Sequence, residues 1–94
     1  MVAQQLTEEG YEVLGSHVTV RTSEGRRVID HLVKTPTGEI IAVEVKSGRA
    51  VRNAGQLTKD ALMATEGAKL IGKNAPEDIR NTMRTIETIE RLVP

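Results

Sequence analysis

Apolar and polar positions along this chain fall into short runs whose spacing switches between helical and alternating. Ala3, Leu6, Tyr11 and Leu14 recur at roughly helical spacing, which predicts an opening helix that Gly10 brings to its end. From Ser16 to Thr22, Val18 and Val20 alternate with His17, Thr19 and Arg21, the pattern of a half-buried strand. Ser23-Glu24-Gly25 reads as a turn, Arg27 to Thr35 as a second strand, Pro36-Thr37-Gly38 as a second turn, and Glu39 to Lys46 as a third strand. Ile40, Ile41, Ala42, Val43 and Val45 make that third strand apolar on both faces, so it is expected at the centre of the sheet.

After Ser47-Gly48 the spacing returns to helical from about Asn53 to Glu66, closed by Gly67. Ala68 to Gly72 reads as a short fourth strand. Asn74 followed by Glu77 resembles a capping box, and Pro76 suits a first helical turn. Ile79, Met83, Ile86, Ile89 and Val93 then form one seam, which predicts a last helix over about 76–93. The expected fold is α/β, one domain over residues 1–94. Its order is helix, three-stranded meander, helix, strand, helix, with a mixed central sheet flanked by helices.

Composition narrows the picture. Ninety-four residues allow one modest core, and with no Trp or Phe it must be filled by Val, Ile, Leu, Ala and Met. No run approaches the roughly 20 apolar residues of a membrane span, so no membrane segment is expected, and the residues at Met1 give no secretory signal pattern. The absence of cysteine removes disulfides, thiolate zinc sites and cysteine nucleophiles. Thirteen basic and thirteen acidic residues balance, which counts mildly against a nucleic-acid partner, although Arg49 and Arg52 follow Lys46 closely and make a local basic stretch.

The candidate chemistry lies in the second and third strands. A three-residue Pro36-Thr37-Gly38 loop with a G1 bulge sets Thr35 opposite Glu39. Counting back sets Asp30 opposite Glu44, and Val28 opposite Lys46. Regular alternation then brings Asp30, Glu44 and Lys46 to one face. Two opposed carboxylates repel unless a proton, a lysine or a metal lies between them. Their oxygens suit Mg2+, with Mn2+ or Zn2+ as alternatives, and the Val45 carbonyl offers a further ligand. The plainer account of the same residues is a salt bridge of Lys46 with Glu44 or Asp30. Apolar Ala42, Val43 and Val45 around these charges favour a chemical use. Serine triads and phosphate loops find no support in the sequence. His17 and His31 are expected on the face opposite Asp30.

Val28-Ile29-Asp30, the turn, and Val43-Glu44-Val45-Lys46-Ser47-Gly48 resemble the PD-(D/E)xK, or restriction-endonuclease-like, nuclease superfamily. The likeness spans roughly Leu6 to Gly72. Within the superfamily the chain is similar to the C-terminal nuclease toxin domains of contact-dependent growth inhibition proteins. Small junction resolvases are related shapes. The resemblance implies Asp30 and Glu44 as metal ligands, Lys46 as the catalytic lysine, and Gln56 as a supporting polar group with Asp60 on the same helix face. Ile29 stands where the family often has proline. Glu8 or Glu9 stands near the further acid that many members carry. It also implies phosphate contacts from Arg49, Arg52 and Lys59, and DNA or tRNA as substrate. An acidic immunity protein is expected as partner, with delivery by a secreted or cell-surface bacterial protein into a target-cell cytoplasm. A housekeeping resolvase would instead be cytoplasmic. The alternative from another class is a catalytically silent nucleic-acid-binding module.

Overall fold

The computed structural model describes residues 2–48, 50 and 52–93. A six-stranded mixed sheet carries one helix on each face. Chain order is α1 (Val2–Glu8), β1 (Glu12–Thr22), β2 (Gly25–Lys34), β3 (Ile40–Ser47), α2 (Ala54–Thr65), β4 (Ala68–Ile71), β5 (Met83–Arg84) and β6 (Glu87–Val93). Across the sheet the order is β5-β4-β1-β2-β3-β6. β1, β2 and β3 form the expected antiparallel meander, β4 joins β1 antiparallel, and β6 lies parallel to β3.

Each face carries its own core. Val18, Val20, Ile29, Leu32, Ala42 and Leu70 pack with Met63 of α2. Val33, Ile41 and Val43 pack with Val2 and Leu6 of α1, and Val45, Ile89 and Val93 close against them. β3 therefore buries apolar side chains on both faces, as its sequence required.

Local chemistry explains the boundaries. Gly10 adopts φ +95° and ends α1, so Tyr11 and Leu14 leave the helical seam and lie beyond it, Leu14 within β1. In the β2–β3 loop the Thr35 amide donates to Glu39 O at 2.7 Å and the Gly38 amide to Thr35 O at 2.9 Å, with Gly38 at φ +91°. This is the three-residue loop that fixes the register. α2 opens on a capping box: Asn53 accepts from the Gln56 amide while the Gln56 side chain accepts from the Asn53 amide.

The predicted last helix is not formed. Residues 77–81 make turns, and β5 and β6 follow. Asn74 caps no helix; its side-chain amide donates to the His17 carbonyl at 3.2 Å. Arg80 instead holds the turn by donating to the carbonyls of Ala75 and Lys73. The seam that suggested a helix divides between two cores. Ile79 and Ile86 are buried on the α2 side, Ile89 and Val93 pack on the α1 side, and Met83 is exposed. Two forces favour the strand. The segment is rich in β-branched residues (Ile79, Thr82, Thr85, Ile86, Thr88, Ile89, Val93), which fit a pleated surface better than a helix. In addition, β3 needs a partner on its second side, and β6 supplies a ladder from Ile41–Glu87 to Ser47–Val93. Exposed Glu9 clasps Arg91 with contacts of 2.6 and 2.8 Å, tying the end of α1 to this edge strand.

One defect in the packing is local. Thr88 Oγ1 is buried without a hydrogen-bond partner, and Thr88 borders a void too small for water that Ile29, Ala42 and Met63 share with the charged Arg27, Glu44 and Asp60. Thr88→Val removes the stranded hydroxyl while keeping a β-branched shape. We expect it to stabilise the fold by about 1 kcal/mol, read as a higher urea midpoint; a lower midpoint would show that the hydroxyl is satisfied.

Candidate active site

β3 and α2 bring Glu44, Lys46 and Gln56 together. Lys46 Nζ lies 3.3 Å from Glu44 Oε1 and 3.4 Å from Gln56 Oε1. Gln56 serves two purposes, because the same oxygen accepts from the Asn53 amide in the capping box. The salt bridge foreseen as the plainer account of Lys46 is thus present.

The surroundings of Glu44 contain a residue that sequence reasoning missed. Arg27, on β2 and only 8% exposed, donates to Glu44 Oε2 at 3.0 Å. It also donates to both carboxylate oxygens of Asp60 at 2.9 and 3.3 Å and to the Val28 carbonyl at 2.8 Å. Burial alone would lower the pKa of this guanidinium. Asp60 and then Glu44 outweigh burial and hold it above its usual value, so it stays charged. Arg52 adds the next link, 2.9 Å from Asp60 and 2.8 Å from Glu90. Its hydrogen bond to Asp60 is the main reason its pKa is also raised. The available signal was the pairing of Arg27 with Ile29 on alternating core-facing positions, which placed an arginine inside.

Asp30 holds its expected place along β2 but not its expected direction. The ladder of β2 with β3 runs from Lys34–Ile40 to His31–Val43 and stops one pair short of Asp30 and Glu44. Ile29 and Leu32 both face the α2-side core although they are three residues apart, so the alternation of β2 slips by one between them. His17, on the facing stretch of β1, sits at φ +53°, a left-handed conformation that marks the same distortion. As a result Asp30 and His31 line one groove on the α1 side with Val2, Ala3, His17 and Val45. The expectation that Asp30 shares the face of Glu44 and Lys46 is corrected here. So is the expectation that the two histidines lie behind it. His31 Nδ1 is 2.9 Å from Ser16 Oγ. Asp30 Oδ2 accepts the Val45 amide hydrogen at 2.8 Å. That amide belongs to β3 just beyond the end of the ladder, so the Asp30 carboxylate sits where the two strands part.

Other anticipated residues are placed as follows. Asp60 is held by two arginines, Arg27 and Arg52. Arg52 is committed to two carboxylates. Lys59 is half-buried beside the β1–β2 turn, with its ammonium near Gly25. Arg49 lies outside the described residues. Glu9 is bound to Arg91, away from the site, and Glu8 is exposed.

The candidate ligands are oxygen donors, which suit a hard divalent ion. Among the described residues no three His, Cys, Asp or Glu side chains gather as a ligand cluster. The candidate pair does not form a ready ion site: Asp30 lines the α1-side groove, while Glu44 faces α2 with a cation on each of its oxygens. An ion held by both would have to enter at the open end of the ladder, with water completing its shell.

Breaking the buried network should be costly. Arg27→Met strands one contact on Glu44 and two on Asp60, and a loss of about 3–5 kcal/mol is expected from denaturant unfolding. A loss below about 1 kcal/mol would show that the pairs behave as surface salt bridges.

No curated protein and no solved structure matches the chain. The model of one family, described as a nuclease-related domain, matches residues 1–93. With a restriction-endonuclease-like sheet and a Glu-x-Lys strand meeting α2 beside Asp30, the chain belongs to the nuclease-related domain family.

Proposed function

We propose that this domain hydrolyses phosphodiester bonds in DNA or tRNA, using a divalent ion, Mg2+ first, held by Asp30 and Glu44. The observation that supports this most is the end of the β2–β3 ladder. There the Asp30 carboxylate takes the amide of Val45, the residue between Glu44 and Lys46, whose side chains form an ion pair. In this reading the ion would polarise a phosphoryl oxygen and acidify a water. Asp30 and Glu44 would reach it from the two sides of the parted strands, Lys46 would steady the water or a phosphate oxygen, and Gln56 would orient Lys46. With Arg52 bound to Asp60 and Glu90, the basic rim on which an acidic immunity protein would dock loses that side chain.

A second account has its own support. Both oxygens of Glu44 are already met by cations, as in a module that keeps the fold and binds nucleic acid without cutting it. Incubating the domain with plasmid DNA and with total tRNA, each with Mg2+, Mn2+, Zn2+ or EDTA, separates the two. Cutting should require a divalent ion. Asp30→Ala and Lys46→Ala should each lower its rate about a hundredfold or more. Cutting that survives EDTA overturns metal dependence, and cutting that survives either substitution removes that residue's role.

A further inference from the structure

The sheet has two faces, and α1 covers only part of one of them. It packs on Val33, Ile41 and Val43, and its first residues reach the groove at Asp30. Beyond that groove, toward the β1–β2 turn, β4, β1 and β2 turn Val18, Val20, Ile29 and Leu70 into the α2-side core and their alternate side chains the other way. There Arg21 pairs with Arg26 on β2 and with Lys69 on β4, so three cations stand in one row across adjacent strands. All three are exposed, and among the described residues none forms an ion pair, not even with Glu24 in the turn.

Like charges directly opposed on a sheet repel. The chain is neutral as a whole, so the row is a local concentration of charge. The next row, Ile71, Thr19 and Val28, carries no charge, and Val28 is 46% exposed. On β2, Arg26, Val28 and Asp30 follow one another on the same side, since Arg27 and Ile29 turn toward α2. The cation row therefore lies about 14 Å from Asp30 along an open strip, roughly the rise of four nucleotides of duplex.

From this arrangement we propose that the uncovered face of β4, β1 and β2 is a nucleic-acid track. Lys69, Arg21 and Arg26 hold phosphates of a strand that runs on to Asp30. The inference rests on the nucleic-acid reading above and needs no metal ion. Its ligand is the phosphodiester backbone that DNA and tRNA share. Bound phosphates place negative charge among the three cations and offset their mutual repulsion.

Binding is read in EDTA by fluorescence anisotropy of a labelled DNA duplex and of labelled total tRNA at several salt concentrations. Arg21→Gln, Arg26→Gln and Lys69→Gln together should weaken binding about thirtyfold, and each alone about threefold, with the salt slope lowered by about one for each. Removing three exposed cations outside the row, by Lys34→Gln, Lys73→Gln and Arg84→Gln, should change affinity by less than about threefold.

Unchanged binding by the first triple variant overturns the track, as does an equal loss in the second, which would reduce the effect to bulk charge. Should the first triple variant fail to fold, its single substitutions decide by the same measure. Phosphatidylserine vesicles are a third probe. Vesicle binding that the first triple variant loses while it keeps nucleic-acid binding assigns the face to an anionic membrane and overturns the proposal. A wild type that binds through these residues but cuts with no ion leaves the track standing and removes the hydrolytic reading. One that cuts with a divalent ion while the first triple variant binds equally well removes the track alone.

Discussion

A line of alternating charges, buried at Arg27, Glu44 and Asp60, holds the working end of this domain together. From Glu90 on β6 it runs through Arg52, Asp60 on α2, Arg27 on β2 and Glu44 on β3, and ends at Lys46. Three carboxylates face three cations, so the line is neutral as a whole while every interior member has a partner on each side. That condition matters because an uncompensated charge in a low-dielectric interior costs far more than a pair returns. The line also crosses three strands and a helix. It fixes how α2 sits on the sheet, and with it the distance from Gln56 to Lys46. The α2-side core alone could slide, since apolar contacts are not directional; the guanidinium forks of Arg27 and Arg52 make the seat specific.

The same network sets the chemistry that the site can support. Glu44 is 6% exposed, and at that depth its charge must be answered by something. Arg27 answers it on one oxygen and Lys46 on the other. A fully exposed Glu-x-Lys strand pair would need no such support and would give no preorganisation. A fully sealed pair would hold its charges but exclude an ion. The intermediate exposure of Lys46 lies between these limits.

Much of this was legible in the sequence, for identifiable reasons. Pro36-Thr37-Gly38 specified a loop length, and the loop length specified the register, which holds from Lys34–Ile40 to His31–Val43. Asn53 and Gln56 marked the start of α2, and Gly67, at φ +89°, its end. The last segment misled because its apolar residues satisfy a helical period and the two cores equally well. Periodicity counts which positions are apolar but cannot tell that Ile86 and Ile89 serve opposite faces. The demand of β3 for a second neighbour decided the outcome, and that demand is a property of the assembled sheet. Arg27 was missed for a related reason, since its partners Glu44 and Asp60 lie 17 and 33 residues away.

Asp30 shows why a correct register does not by itself deliver a site. Regular alternation would have turned its side chain toward α2, into the space where Arg27 and Lys46 already neutralise Glu44. The slip between Ile29 and Leu32, matched by the left-handed turn at His17 on β1, instead carries Asp30 to the other side of the sheet. A left-handed histidine costs on the order of 1–3 kcal/mol. The distortion leaves the Val45 amide without a ladder partner beyond His31–Val43, and the Asp30 carboxylate takes up that amide. A second acid on the Glu44 face would have needed its own buried cation. Placed at the open end of the ladder, Asp30 is held by a main-chain donor instead. It stays available to whatever enters the gap between the strands without disturbing the charge balance beneath α2.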